Sequence, residues 1–230
     1  MKALQVGMLI PWVNMAMEEE IPNSVHPNIG LHWSRMRPKI LPKDGHDTGY
    51  LKYMVLALPN ALSGFDGLRL QVIVLGCTSV SFGNFCSSIE IPKAYKNSRF
   101  ITAFDSIVLQ IRKLEAKNIL LFAPYDKGTI DAEANMLETC GVNVVKCVPL
   151  TYKDEIRYIT TEQVYDTFEK EYTSQCDAVL FSCTALYTLE AINNIKTRLN
   201  VEIPLLSSNS AISDTLNDLY HEHHYQPGEA

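Results

Sequence analysis

Two cysteine–threonine pairs stand at the ends of apolar runs in this chain. Cys77 and Thr78 follow the run in "VIVLGCTSVSFG", and Cys183 and Thr184 follow the run in "AVLFSCTALYTLEAI". Ligands of parallel α/β sheets bind beyond the carboxyl ends of the strands. Helices that start directly after both corners would offer free N–H groups to a carboxylate and lower the pKa of a nearby thiol. The pairs therefore predict carboxylate chemistry at two reactive thiols.

The remaining cysteines lack this context, and we interpret them as structural residues: Cys86, Cys140, Cys147 and Cys176. The chain contains no C-x-x-C pair, so a zinc site is not predicted. A set of disulfides is not expected either, because the chain is not a small secreted domain.

The elements that must position the two corners follow a βαβ pattern. Strands are predicted for the runs "LQVGMLIP", "QVIVLGC", "NILLFAPY", "VNVVKCVPL", "DAVLFSC" and "IPLLSS". Helices are predicted for "AFDSIVLQIRKLEA", "TIDAEANMLETCG", "TTEQVYDTFEKEY" and "TALYTLEAINNIKTRL", the last directly after Cys183. Strands that are apolar on both faces are typical of covered parallel sheets, so the predicted fold class is α/β.

A weak internal repeat suggests that the two corners are equivalent. Pro11 precedes Cys77 by 66 residues, and Pro124 precedes Cys183 by 59 residues. Two elements in the same order at similar spacing predict two similar lobes related by a pseudo-twofold. We place the first lobe at residues 1–104 plus 207–230 and the second at residues 105–206. The corners would then face each other as two walls of one site.

The bulk composition limits the function classes. The chain has 230 residues, 47% apolar content and a net charge of −6, values that are typical of a globular domain and argue against a nucleic-acid partner. No apolar run reaches the length of a membrane span. The N-terminal segment is interpreted as a first strand rather than a secretory signal, because Pro11 interrupts it early. We expect a cytoplasmic protein with reduced thiols.

Taken together, these stretches resemble the aspartate/glutamate racemase superfamily, and within it the branch of maleate cis-trans isomerases and arylmalonate decarboxylases. The resemblance rests on "GMLIPWVNMAMEEE", "HWSRMR", "VLGCTSVSFG", "LLFAPYDKGTIDAEANMLETCGVNVV" and "VLFSCTALYTLEAI", which cover nearly the whole chain. It implies two Rossmann-like lobes with the active site between them, no cofactor, and one catalytic cysteine per lobe, here Cys77 and Cys183. Decarboxylase members have Gly in place of the first cysteine, so keeping both speaks against decarboxylation.

The resemblance also implies substrate-binding residues. Asn14 matches the substrate-binding Asn of the isomerases, and Tyr125 matches a carboxylate-binding Tyr. The two carboxylate pockets correspond to Thr78, Ser79 and Val80 on one side and to Thr184 and Ala185 on the other. The isomerases also have an Asn after the fourth strand of this pattern, whereas the loop here reads "PLTYKDEIRYIT". This difference puts maleate itself in question.

Structural roles compete with these assignments. Asn14 is a good N-cap for "MAMEEE", and Tyr125 stands beside Pro124 in a predicted turn. His32 and Arg35 are interpreted as packing or ion-pairing residues, and Glu18–Glu20 as charges in an early helical turn. His221, His223 and His224 are expected on a solvated helix end rather than at a metal.

Three functions remain open on the sequence. The first is a cofactor-independent cis-trans isomerase of a small dicarboxylate, in which Cys77 adds to the double bond. The second is an amino-acid racemase of the Asp/Glu type, in which one thiolate removes an α-proton and the other thiol returns one. The third is a non-catalytic binding protein on the same fold. The expected partner is a small carboxylate, without nucleic acid or membrane, and a homo-oligomer is kept open.

Overall fold

The computed structural model describes residues 2–39, 49–82, 93–152 and 156–224. The strands in these ranges are β1 Leu4–Pro11, β2 Ile29–Met36, β3 Val72–Leu75, β4 Arg99–Thr102, β5 Asn118–Ala123, β6 Asn143–Pro149, β7 Ala178–Phe181 and β8 Leu205–Ser207. The helices are α1 Ala16–Glu20, α2 Gly49–Ser63, α3 Thr78–Phe82, α4 Ala103–Lys113, α5 Lys127–Thr139, α6 Thr161–Glu171, α7 Leu189–Leu199 and α8 Ser208–His224. No helix in the described part of the chain has the length and apolarity to cross a bilayer.

The strands form two four-stranded parallel sheets. The first has the order β2-β1-β3-β4 and the second the order β6-β5-β7-β8. Both sheets thus repeat one topology, in which the second strand lies outside the first and the third lies on its other side. This arrangement confirms the α/β class with two lobes. It also places the ends of β3 and β7, where Cys77 and Cys183 stand, at equivalent positions of the two sheets.

All six predicted strands are present, and two further strands were missed. The centre of β2, "IGLHWSRM", is only half-buried and carries His, Ser and Arg, so it lacks the apolar signal of a covered strand. The other missed strand, β4, has four residues, of which only Ile101 and Thr102 are buried. Both lie at sheet edges, where burial on two faces is not required.

Two helices cross between the sheets and join them. Helix α4 follows a strand of the first sheet, but Phe104, Ile107 and Ile111 are buried in the apolar cluster of the second sheet. Helix α8 follows a strand of the second sheet, but Ile212 and Leu216 belong to a cluster of the first sheet. The two helices also pack against each other. The lobe boundaries at residues 104/105 and 206/207 remain a prediction.

Local signals fix the ends of the helices near the candidate site. Asp126 is the N-cap of α5, with its Oδ1 atom accepting the Thr129 N–H at 2.9 Å. The same helix ends before Gly141, whose φ of +85° favours glycine because glycine has no Cβ. The Asp126 cap matters for the site because it fixes the backbone directly after Tyr125.

Candidate active site

The first corner brings Cys77 to the start of α3. Cys77 is 4% exposed, and its Sγ atom lies 3.7 Å from the Ser79 hydroxyl. The backbone N–H groups of Ser79 and Val80 also face the sulfur and favour its ionised form. Met17 packs directly against Gly76, because a Cβ atom at position 76 would lie 2.7 Å from the Met17 sulfur. This corner has the predicted strand–Cys–helix geometry.

The second corner has a different backbone. Helix α7 begins at Leu189 rather than directly after Cys183, so the predicted helix start at "TALYT" is wrong. A turn occupies the intervening residues, in which the Leu186 N–H donates to the Cys183 carbonyl at 3.2 Å. Cys183 itself has a φ of +105°, which is strained for a residue with a Cβ. The Ala185 N–H, rather than a helix end, therefore supports the Cys183 sulfur.

Tyr125 links the two thiols. It stands two residues after the end of β5 and is buried, and its hydroxyl lies near the Cys183 sulfur, where it lowers the pKa of that thiol. Both Cys183 and Cys77 act electrostatically on its hydroxyl, so Tyr125 is close to the two cysteines at once. The Phe82 ring packs edge-on against the Tyr125 ring at 6.3 Å. Three predicted residues, Cys77, Cys183 and Tyr125, are thus brought together, and Tyr125 is more than a turn residue.

Burial favours the neutral form of both thiols, contrary to the lowered thiol pKa expected from the sequence. Burial raises the pKa of Cys77 above its ordinary value, and burial raises the pKa of Cys183 to about 12. Burial and the neighbouring thiols and carboxyl hold the pKa of Tyr125 well above its usual value. The N–H groups at each corner lower the thiol pKa, but desolvation outweighs them because both sulfurs are cut off from water. A thiolate must therefore form during turnover.

A hydrogen-bond network joins the two corners directly. The Thr184 hydroxyl donates to the Gly76 carbonyl at 3.0 Å, and Asn14 donates from Nδ2 to the Thr184 hydroxyl at 3.2 Å. The Asn14 Oδ1 atom also accepts the Met17 N–H in the first turn of α1 at 3.1 Å, although the N-cap position of this helix is Met15. Asn14 and Thr184 therefore lie at the junction of the corners, and their roles as substrate ligands remain predictions.

Ser208, at the start of α8, closes this network and was not identified from the sequence. Its hydroxyl accepts the Thr78 hydroxyl at 3.1 Å and the Cys183 N–H at 3.0 Å. One buried side chain thus holds both Thr78, of the predicted first carboxylate pocket, and the backbone of the second cysteine. The stretch "SSNS" stands at the end of a predicted strand, so the rule that identified the two cysteine corners also applies to it.

Glu20 is a second missed residue, and its interpretation as an early helical charge is wrong. Its carboxylate is buried and accepts the N–H groups of Thr188 and Leu189 at 2.7 and 2.8 Å. It also accepts the Asn209 Nδ2 group at 2.6 Å. Burial raises the pKa of Glu20 despite these donors. Glu20 follows the first strand, whereas α7 packs on the second sheet. The carboxylate therefore caps α7 and connects the two lobes beside the Cys183 turn.

The polar residues left off the site have structural partners. Arg35 forms an ion pair with Glu18 and donates to the Asn14 carbonyl at 3.2 Å, so it steadies the loop that carries Asn14. His32 contacts Gln5 through Nε2 at 2.8 Å. Among the described residues, no group of three His, Cys, Asp or Glu side chains is arranged for a metal ion. Cys86 and the side chains of His223 and His224 lie outside the described residues.

The residues at the cleft between the corners are largely buried in the described structure. Cys77, Cys183 and Tyr125 are each less than a tenth exposed. A cavity of about 640 Å³ opens beside Glu20, lined in part by Tyr187 and Leu189, but it does not include the thiols. Another of about 690 Å³ lies at the far, amino-terminal end of the first sheet.

Known proteins share this architecture. A curated maleate isomerase from Geobacillus stearothermophilus is 24% identical over 227 residues, covering 90% of this chain and 88% of the relative. A Nocardia farcinica maleate cis-trans isomerase, solved as a cysteine-to-serine mutant with a covalently bound succinylcysteine intermediate, has a TM-score of 0.79 at 22% identity, over 94% of this chain and 93% of that one. Arylmalonate decarboxylase has a TM-score of 0.68 at 18% identity, over 98% and 94%. These similarities show a common two-lobed fold.

A family model adds to the similarity of fold. The model described as arylmalonate decarboxylase matches residues 65–226, which include both cysteine corners, Tyr125 and the serine-rich start of α8. The resemblance stated from the sequence, to the branch of maleate isomerases and arylmalonate decarboxylases, is therefore confirmed. The chain belongs to the arylmalonate decarboxylase family.

Proposed function

We propose that this protein is a cofactor-independent isomerase that interconverts the cis and trans forms of a small unsaturated dicarboxylate, of which maleate is the model. The observation that carries the proposal is the meeting of Cys77 and Cys183 around Tyr125, each at the carboxyl end of an equivalent strand. The curated relative and several structural relatives are maleate isomerases, and one of them forms a succinylcysteine. A succinylcysteine is the adduct expected when a cysteine adds to maleate.

The reaction begins with Cys77 as the nucleophile. The Cys77 thiol gives its proton to a carboxylate of the bound dicarboxylate. The resulting thiolate forms a sulfur–carbon bond to one alkene carbon, and the π electrons move to the neighbouring carbon and its carboxylate. The Cys183 thiol then gives its proton to that carbon, which leaves succinyl-Cys77 and a Cys183 thiolate. The former double bond is now single, so it rotates. Cys183 takes the proton back and the sulfur–carbon bond breaks. The Cys77 thiolate then recovers its proton from the substrate carboxylate as the trans product leaves.

Each group around the thiols has a role in this sequence. The N–H groups of Ser79 and Val80 stabilise the Cys77 thiolate, and the Ala185 N–H and Tyr125 hydroxyl stabilise the Cys183 thiolate. These donors are worth more in a closed cleft than in water, because the local dielectric is low. The substrate carboxylates would take the pockets at Thr78 and Thr184, once those hydroxyls exchange protein partners for substrate.

Racemisation is the second candidate, and one observation favours it. The loop after β6 lacks the Asn that the isomerase resemblance predicts, whereas a two-thiol racemase needs only two opposed thiols. In that route one thiolate removes the α-proton of an amino acid, and the other thiol returns a proton to the opposite face. Arylmalonate decarboxylation is disfavoured because Cys77 occupies the position where decarboxylase members carry Gly.

Proton NMR separates these functions in one experiment. The purified protein is incubated in heavy water with maleate, aspartate or glutamate, without added cofactor. Fumarate formed from maleate supports the isomerase, and loss of an α-proton signal from an amino acid supports the racemase instead. No change in any tube would contradict both and favour a binding protein. Cys77→Ser and Cys183→Ser should each abolish turnover, whereas Cys176→Ser, at a buried thiol that donates to the Thr173 carbonyl, should not.

A further inference from the structure

Glu133 is a buried acid for which the proposed reaction has no role. It lies in α5 with no exposed surface, and its Oε1 atom accepts the Ser182 hydroxyl at 2.5 Å. Its Oε2 atom is also buried and has no hydrogen-bond partner among the described residues. A buried carboxylate with one unpaired oxygen is costly, whereas a neutral carboxylic acid tolerates the same place. Burial accordingly raises the pKa of Glu133 to about 8.

The placement of Glu133 connects it to the second thiol. Ser182, which it binds, directly precedes Cys183 in the chain, at the residue where the backbone adopts its positive φ. A charge on Glu133 raises the pKa of both Cys183 and Tyr125. The carboxyl thus lies close to Tyr125 and Cys183, and it contacts the strained corner through the Ser182 side chain.

Few other charged groups surround this carboxyl in the described structure. On β6, a charge on Glu133 raises the pKa of the Cys147 thiol, and Lys146 forms an ion pair with Glu171. On α5 itself, Lys127 and Asp131 pair with each other. The packed segments "TSVSF" of α3, "NILLFA" of β5 and "AVLF" of β7 carry no ionisable side chain. Besides the Cys77 thiol, Glu133 is the ionisable group in the described structure whose charge acts on Cys183.

We propose that Glu133 is a positioning residue for Cys183: as a neutral acid it holds Ser182 and leaves the corner uncharged, and as a carboxylate it opposes formation of the Cys183 thiolate. The inference rests on the proposed function only in taking Cys183 as the thiol of the site. It predicts an alkaline limit on any reaction in which Cys183 must give up its proton. The limit follows from the Glu133 titration and not from unfolding.

The test measures Cys183 itself and needs no substrate. Each cysteine of the intact protein is labelled with iodoacetamide between pH 6 and pH 10, and the rate for each is read by peptide mass spectrometry. A lone thiol gives a tenfold rise in rate per pH unit below its pKa, so wild-type Cys183 should show a flattening near pH 8. In Glu133→Gln the flattening should disappear, and Cys183 should react about three to ten times faster than wild type at pH 9 but equally at pH 6.

The controls separate charge from structure. Glu138→Gln makes the same change at an exposed position of the same helix and should leave the Cys183 curve unchanged. Ser182→Ala removes the donor that lowers the pKa of Glu133, so it should move the flattening to higher pH. An equal change in rate at every pH in Glu133→Gln would show a purely structural role and overturn the proposal. A wild-type curve without flattening near pH 8 would overturn it even if the variant failed to fold.

Discussion

Replacing Glu20 by Ala should destabilise the whole protein, because this carboxylate fastens the two lobes. The change removes the acceptor for the Thr188 and Leu189 N–H groups and for the Asn209 side-chain amide. A buried donor left without a partner costs about 1–3 kcal/mol, and part of that loss is recovered by relaxation and water. Three donors together give an expected loss of about 3–5 kcal/mol in the free energy of unfolding. For a chain of this size that corresponds to a fall in Tm of about 10 °C.

Urea unfolding followed by circular dichroism measures this loss, with thermal unfolding as a second readout. Glu190→Ala is the matched control, because Glu190 is an exposed acid in the first turn of the same capped helix and should cost less than about 1 kcal/mol. Glu20→Gln keeps one acceptor and should fall between the two. If Glu20→Ala were as stable as the Glu190→Ala control, the interpretation that the Glu20 carboxylate stabilises the contact between the lobes would be refuted.

Three further predictions concern protons and the Asn14 junction. The folded pKa of Glu133, about 8, exceeds its unfolded value of 4.5. Its contribution to the free energy of unfolding is therefore full below pH 4.5 and is lost as the pH rises to 8, at up to about 1.4 kcal/mol per pH unit. Glu133→Gln should remove this loss, measured by urea unfolding at about pH 5, 7 and 9. Because burial raises the pKa of Cys77, its labelling by iodoacetamide should rise about tenfold per unit from pH 6 to pH 8. Asn14→Ala loses the bonds to the Met17 N–H and the Thr184 hydroxyl and should lower the free energy of unfolding, measured in urea, by about 1–2 kcal/mol.

Much of the fold could be predicted from the sequence because its signals are local. Apolar runs identified the covered strands, and the repeated Cys–Thr corners indicated two equivalent sheet ends. The edge strand β2 was missed because its centre is half-buried and polar. The start of α7 was also placed too early, because nothing in "TALYT" shows that Cys183 adopts a positive φ and that the helix begins only at Leu189.

The parts of the site that could not be predicted depend on distant contacts. Glu20 caps a helix that begins 169 residues later, so the run "MEEE" gives no sign that one of its acids is buried. Glu133 meets Ser182 across 49 residues of chain and has an ordinary helical context in sequence. The resting charge of Cys77 and Cys183 is set by desolvation, which depends on how the lobes close over them.

The most direct test of the two-thiol account is to trap the covalent step. Cys183→Ser is incubated with maleate and examined by intact and peptide mass spectrometry, with Cys77→Ser and Cys176→Ser treated in parallel. The account predicts an adduct with the mass of one added maleate on Cys77 in Cys183→Ser, no adduct at that site in Cys77→Ser, and normal turnover in Cys176→Ser. Turnover of maleate by Cys77→Ser, or an adduct found only on another cysteine, would contradict it.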